Sequence, residues 1–309
     1  MFQRKRYALN GIRAGIGSLL FSALLGAQSV AFTLDDGPKT ETTPLLSPVA
    51  RNAAILKHFQ DAGVPGMFFV TLHNGTDRPE GLALLKTLAE GGQLLANHTV
   101  THPDFNAEAT SLEAFEGEVR ACDQVIRTFP GYRKFMRFPY LREGATAEKR
   151  DGIRAYLKAE GYRIGYVSID TSDWLIDAKL CAKLKQDPKA DLGPWRAFYL
   201  DHLWGRAQIY RNLARGIYGR EVPQVLLLHH NLLSALFLGD AMAMFKAKGW
   251  QLVSPDVAFA DPAYQVAPQI LPLDGSVLET TAEALGLQLE PYFKGIQSER
   301  ATGEGAGKL

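Results

Sequence analysis

Short apolar runs alternate along most of this chain with longer stretches whose apolar residues recur every three or four positions. Runs rich in β-branched, aromatic and Leu residues predict strands over 30–34, 67–71, 94–97, 135–138, 163–169, 224–229 and 250–253. Helical spacing predicts helices over 51–62, 79–90, 111–128, 146–160 and 234–248, with a longer helical stretch within 174–218. Strand–helix alternation predicts a parallel sheet, and so many repeats in one domain favour an incomplete or distorted barrel over an open sheet. Functional side chains of such barrels gather at the carboxyl ends of the strands, where the loops converge on one mouth.

Composition adds a compartment. The chain has 309 residues, 46% of them hydrophobic, enough for one large core. Met1 to Arg13 carries Arg4, Lys5, Arg6 and Arg13 and no acid, and an uncharged stretch from Ala14 to Leu25 leads to Ala27-Gln28-Ser29. That layout predicts a signal peptide or N-terminal anchor over 1–29 and an exported, periplasmic or secreted protein. Its apolar part is short for a membrane span, so membrane contact is expected only through this segment. Removing it leaves 30 basic residues against 33 acidic ones, a near-neutral body that argues against nucleic-acid binding. No stable protein partner is implied. Of the two cysteines, Cys122 falls on the apolar stripe Leu112, Phe115, Val119, Cys122, Ile126, which favours a packed thiol over a disulfide to Cys181. The connection 175–223 is unusually long, and its Trp195, Phe198, Tyr199 and Trp204 sit at helical spacing, favouring core over a sugar-binding groove. The body is expected over 30–262, followed by an extension over 263–309 whose Gly-rich polar end, 298–309, reads as disordered.

Candidate chemistry sits at the strand ends. Thr33-Leu34-Asp35-Asp36-Gly37 closes the first strand, and two adjacent carboxylates repel each other unless a cation or a proton intervenes. His98-Thr99-Val100-Thr101-His102 follows the third strand. Two imidazoles and one carboxylate bind a divalent cation with positions left open, the pattern of a catalytic site, and the second carboxylate is then free to act as base. Taken alone, Asp-Asp-Gly is a turn signal; the joint occurrence carries the inference. His229 ends the apolar run Val225-Leu226-Leu227-Leu228, a setting suited to a general acid with Asp173 as its carboxylate. Strand alternation does not decide whether His229 or His230 points inward. Arg137, beside Pro139 and Tyr140, would pair with the base and favour its ionised form. Arg142 and Glu143 read as a local ion pair; His58 and His202 have no site role, and His73 is a substrate-side candidate.

Five segments in order, Thr-Leu-Asp-Asp-Gly at 33–37, His-Thr-x-x-His at 98–102, Arg-x-Pro-Tyr at 137–140, Asp-x-x-Asp-Trp at 170–174 and Leu-x-His at 227–229, resemble the motifs of the polysaccharide deacetylases, carbohydrate esterase family four. The resemblance implies a single-domain α/β fold, a distorted seven-stranded β/α barrel, and metal-dependent removal of acetyl groups from a glycan such as peptidoglycan, a chitin-like polymer or poly-N-acetylglucosamine. It implies Asp36, His98 and His102 as ligands of a divalent metal, with zinc the default and cobalt, manganese or nickel as substitutes. By the same resemblance Asp35 is the general base, Arg137 its orienting partner, His229 the general acid and Asp173 the residue tuning that acid. The backbone N–H of Tyr140 would hold the oxyanion, and Trp174 with Leu227 would wall an acetyl-sized pocket. Leu34 replaces the commoner Phe, Leu141-Arg142-Glu143 stands where a Gly is usual, and His230-Asn231 stands where an Asp is usual. These departures bear on substrate specificity. Two alternatives remain: a small-amide or cyclic-imide hydrolase of the same fold, and a glycan-binding protein without catalysis.

Overall fold

The computed structural model describes residues 27–293, so most of the N-terminal leader and the Gly-rich end of the extension lie outside the described residues. Seven parallel strands form one curled sheet: β1 (Ser29–Asp35), β2 (Met67–Val70), β3 (Leu94–Asn97), β4 (Tyr132–Met136), β5 (Arg163–Ile164), β6 (Gln224–His229) and β7 (Gln251–Leu252). The order is β5-β4-β3-β2-β1-β6. β1 lies in the interior of that row, and its residues Val30–Asp35 are all buried, as expected of a parallel strand covered on both faces. It pairs with β6 along its length and with β2 over Thr33–Asp35, while β7 takes the part of its edge that β2 does not reach, at Ser29 and Val30. The folded body begins before Val30: Gln28 is buried, and its side chain donates to Val222 O at 2.7 Å.

The curl closes thinly. Between β5 and β6 there is a single bridge, Ile169 to Leu226, supported by Leu227 N donating to Ile169 O at 3.0 Å. The strand expected over 163–169 is therefore two residues and a later bridge. Its ladder is interrupted where the Gly165 carbonyl accepts from Arg137 Nε at 2.8 Å. The resulting α/β architecture is a distorted barrel.

Helices α1 (Pro48–Ala62), α2 (Pro79–Glu90), α3 (Leu112–Ile126) and α4 (Ala147–Ala159) connect the first five strands. Ser47, Ser111 and Thr146 cap α1, α3 and α4, each accepting a backbone N–H of the first turn. The long helical stretch is two helices, α5 (Asp173–Gln186) and α6 (Gly193–Tyr218); α5 stops at the residue before Asp187-Pro188, where the proline disfavours further helix. Trp195 and Tyr199 of α6 are buried, and Trp204 packs edge-on against Phe245 and Trp250, so these rings are core and line no groove. Helix α7 (Leu232–Ala247) is apolar nearly all round because α1, α5 and α6 cover it. Cys122 is buried on the predicted stripe of α3, and both cysteines are free thiols.

After α8 (Pro255–Phe259) the chain runs back across the barrel to α9 (Val277–Ala284), started by a Ser276–Glu279 capping box, and α10 (Glu290–Phe293). Val277 N donates to Val167 O at 2.8 Å, which lays α9 over the thin closure between β5 and β6. No helix among the described residues is long and apolar enough to cross a membrane.

Candidate metal centre and active site

The carboxyl ends of the strands open on a cleft of about 580 Å³. Asp35, Asp36, His98, His102, Tyr140, Trp174, Leu227 and His229 line it. Arg137 and Asp173 lie behind its wall, both buried.

Backbone strain brings these groups together. In an extended strand Asp35 and Asp36 would face opposite sides. Asp36 instead leaves β1 with a φ of 66°, which returns its carboxylate to the mouth beside Asp35. Thr99 and His102, at φ 70° and 58°, fold the loop after β3 so that the His98 and His102 rings lie 4.9 Å apart. Tyr140, Leu141 and Ser172 are also left-handed, at 58°, 59° and 51°. Every described non-glycine residue with positive φ is thus at or next to the cleft. Such residues cost roughly 1–3 kcal/mol each and persist where their surroundings over-determine them.

Asp36 Oδ1 lies 3.7 Å from His98 Nε2 and 3.5 Å from His102 Nε2. Tetrahedral ligands about 2.1 Å from a cation sit roughly 3.4 Å from one another, so the donor atoms are spaced for one ion. Their chemistry fits as well. The Asp36 Oδ1 atom is buried and accepts no hydrogen bond among the described residues. His98 Nδ1 donates to Arg137 O at 2.8 Å, which leaves Nε2 as a lone-pair donor toward the cleft. Burial lowers both imidazoles to about 4, the neutral form a metal requires. Burial would raise the Asp36 carboxyl, but His229, Lys39, His98 and His102 together hold it below the usual range. The three residues form a divalent-metal-binding triad.

Asp35 is differently placed. Its Oδ1 takes a 2.5 Å bond from Arg137 Nη1, while Oδ2 remains on the metal side, 3.6 Å from His98 Nε2. Arg137 also donates to Thr33 Oγ1 at 2.9 Å and stacks 3.7 Å from the Phe69 ring centre. The guanidinium favours the ionised carboxylate, yet burial outweighs it and Asp35 sits above its ordinary pKa.

Across the cleft, His229 Nδ1 donates to Asp173 Oδ1 at 2.6 Å. Asp173 Oδ2 accepts from His229 N at 3.0 Å and from Asn231 Nδ2 at 2.9 Å, so the carboxylate is held by three donors. Burial lowers the imidazole, but the Asp173 charge and hydrogen bond raise it further, to about 9. His229 is therefore the cleft residue, and His230 turns the other way: it is fully buried, with Nε2 donating to Asn52 Oδ1 at 3.0 Å beneath Gly37. Tyr140 and Trp174, each 55% exposed, flank the opening, and Leu227 forms part of its floor.

Some expectations change. Arg142 and Glu143 do not pair: Arg142 bonds Asp104 and Asp274, whereas buried Glu143 bonds Arg154 at 2.5 Å. Successive residues of this loop face opposite sides, one to the cleft and one to the interior. His73 lines the cleft. His58 Nε2 donates to Ala235 O at 2.9 Å and His202 Nε2 to Thr171 O at 2.5 Å; neither lines it. Three supporting residues carried no motif. Lys39 Nζ lies 3.4 Å from Asp36 Oδ2. Glu118 of α3 accepts from Val100 N and Thr101 N at 2.9 and 2.7 Å, bracing the His98–His102 turn. Arg206 of α6 donates to Asp170 O at 2.7 Å, bracing the loop that leads to Asp173.

Residues 25–164 match the polysaccharide deacetylase family model. Over that stretch, a little under half of its length, this chain is similar to the polysaccharide deacetylases. The matched stretch contains the segments at 33–37, 98–102 and 137–140; the remaining two join them only in the folded structure. A peptidoglycan N-acetylglucosamine deacetylase of Bacillus cereus is 27% identical over 155 residues, 50% of this chain and 49% of that protein. A chitin deacetylase of Colletotrichum lindemuthianum is 30% identical over 148 residues, 47% of this chain and 52% of that protein. The chain thus spans about half the length of these relatives. Among solved structures, a variant of a peptidoglycan deacetylase of Bacillus subtilis superposes with a TM-score of 0.50 at 18% identity, covering 76% of this chain and 91% of the other. A polysaccharide deacetylase of Bacillus cereus gives 0.50 at 18% identity over 74% and 91%. At this identity the superpositions show a shared fold.

Proposed function

We propose that this chain is an exported zinc-dependent deacetylase that removes acetyl groups from an N-acetylated glycan of the peptidoglycan, chitin-like or poly-N-acetylglucosamine class. The observation that carries this is the asymmetry of the two aspartates. Asp36 presents a bare Oδ1 to two neutral imidazoles, while Asp35 has Oδ1 committed to Arg137 and only Oδ2 facing the triad. A divalent cation on Asp36, His98 and His102 would polarise the acetyl carbonyl and acidify a water.

The protein's own groups do the rest. With Oδ1 engaged by Arg137, Asp35 takes the proton of the attacking water on Oδ2. The raised Asp35 pKa makes it a stronger base than a solvated carboxylate. The backbone N–H of Tyr140 stabilises the developing oxyanion. His229, with Nδ1 committed to Asp173, delivers the proton on Nε2 to the departing amine. Its pKa of about 9 keeps that proton in place at neutral pH. Trp174 and Leu227 enclose the methyl group. Export is supported by the charge layout of residues 1–29 and by the cell-wall polymer named in the Bacillus cereus relative.

The test is acetate release from peptidoglycan, chitooligosaccharide, poly-N-acetylglucosamine and acetylxylan by metal-stripped protein reconstituted with zinc, cobalt, manganese or nickel. His98→Ala should lose both metal and activity. His229→Ala should keep the metal and turn over about 10²-fold more slowly, the scale of a lost general acid. No acetate from any polymer with metal bound, or equal turnover by the His229 variant and the parent, refutes the assignment.

A further inference from the structure

The segment at 273–274 lies far beyond the stretch that matches the family model, yet it is stitched to two loops of the cleft. Asp274 Oδ2 accepts from Arg142 Nε at 3.0 Å, and the two residues form an antiparallel bridge. Leu273 O accepts from Glu143 N at 3.3 Å and from Asn106 Nδ2 at 3.1 Å. From the other side, Arg142 Nη1 donates to Asp104 Oδ2 at 2.5 Å, and Asn106 Oδ1 accepts from Gly144 N at 2.9 Å. Arg142 is the hub joining the loop after β3, which carries His102, to the loop after β4, which carries Tyr140. Its guanidinium also lies 5.7 Å from the Tyr140 ring centre, and that ring lies 4.6 Å from His102.

The clamp sits where the backbone needs one. Tyr140 and Leu141 are consecutive left-handed residues with full side chains, a conformation the chain leaves unless held. A right-handed turn would carry the Tyr140 N–H and ring away from His102. Stability alone does not account for the arrangement: the Arg142 and Asp274 side chains are 37% and 50% exposed, and exposed pairs contribute little to folding.

We propose that Asp274 is a positioning residue for deacetylation: through Arg142 it holds the Tyr140–Leu141 turn and, by way of the Arg142–Asp104 pair, the His102 loop in register, beside the Leu273 carbonyl that holds Asn106. The extension is in this sense part of the active site. The proposal rests on the deacetylase assignment of the cleft, so its test includes a readout independent of activity.

The variant is Asp274→Asn in the full chain, with Asp240→Asn as control, because the Arg196–Asp240 pair is similarly exposed. Amide hydrogen exchange in metal-free protein should speed up about 10-fold or more at 104–106 and 140–144 in Asp274→Asn and stay unchanged elsewhere. With metal bound, kcat should fall about 10-fold while KM stays within about 2-fold, the pattern of a misplaced reacting group. Bound metal and melting temperature should match the parent, and Asp274→Glu should recover part of kcat. The control should leave exchange at both loops and kcat at the parent's values. Unchanged exchange at 140–144 overturns the proposal; so does faster exchange spread over the whole chain with a lowered melting temperature, which marks a purely structural role. A parent that releases no acetate defeats the deacetylase assignment, while the exchange data still decide the clamp.

Discussion

Replacing Asp173 with Asn tests the electrostatic core of the site. Asp173 is fully buried, and its three donors fix what an amide can do there. Two of them, His229 N and Asn231 Nδ2, converge on Oδ2, so the amide oxygen is drawn to that position and the NH2 group faces His229 Nδ1. The variant then removes a negative charge and also sets a donor against the nitrogen that must carry a proton in the imidazolium. In the parent, burial lowers His229 but the Asp173 charge and hydrogen bond lift it from 6.5 to about 9, with smaller contributions from Asp36 and Asp35. That difference is worth about 3 kcal/mol in favour of the charged ring. Losing it leaves burial dominant, so the variant's His229 should titrate below 6.5. The cleanest assay is an NMR titration of the His229 ring in metal-free protein, because a bound cation pushes the same pKa down. Linkage gives a second readout. A raised folded-state pKa contributes stability that is complete below about pH 6.5 and lost as pH rises through about 9. Metal-free parent should therefore lose stability between those values, whereas the variant should not. With metal bound, the basic limb of the kcat profile should move to lower pH and kcat at pH 7 should fall about 10²-fold. A variant His229 that still titrates above 8 would refute the role given to Asp173.

Arg137→Ala should cost about 3–5 kcal/mol in denaturant unfolding, because it leaves the buried Asp35 carboxylate unpaired; a loss under about 1 kcal/mol would contradict the pairing. Arg137→Lys keeps the charge but cannot reach Asp35, Thr33 and Gly165 together, so kcat should fall with little change in bound metal. Gly37→Ala would place a Cβ 2.5 Å from His230 Cβ, and should lower stability by about 1–3 kcal/mol and weaken metal binding measured by competition with a chelator. Saturating zinc should raise the melting temperature of the parent, with about 2.7 kcal/mol expected at one hundred times Kd, and should leave His98→Ala unmoved.

The strands were legible because parallel strands covered on both faces must be apolar throughout, as β1 and β2 are. The side chains that meet at the cleft were legible because the chemistry expected of them demands particular residue types, and a barrel places those at strand ends. Their orientation was not. Alternation predicts opposite faces for Asp35 and Asp36, and the outcome turns on a left-handed residue that is not glycine, which nothing in the local sequence marks. His230 is settled by Asn52, 178 positions away. Glu118 and Arg206 reach main-chain atoms from helices that look like ordinary amphipathic surface. The extension presents the extreme case: Leu273 acts through its backbone, which any residue could supply, so its contacts have no residue-type signature at all. Chemistry that needs a side chain leaves a motif, whereas the positioning of that chemistry is done largely by main chain at long range. The strained turns around this cleft depend on such unmarked contacts, and substitutions in the extension should therefore change turnover while every motif residue stays intact.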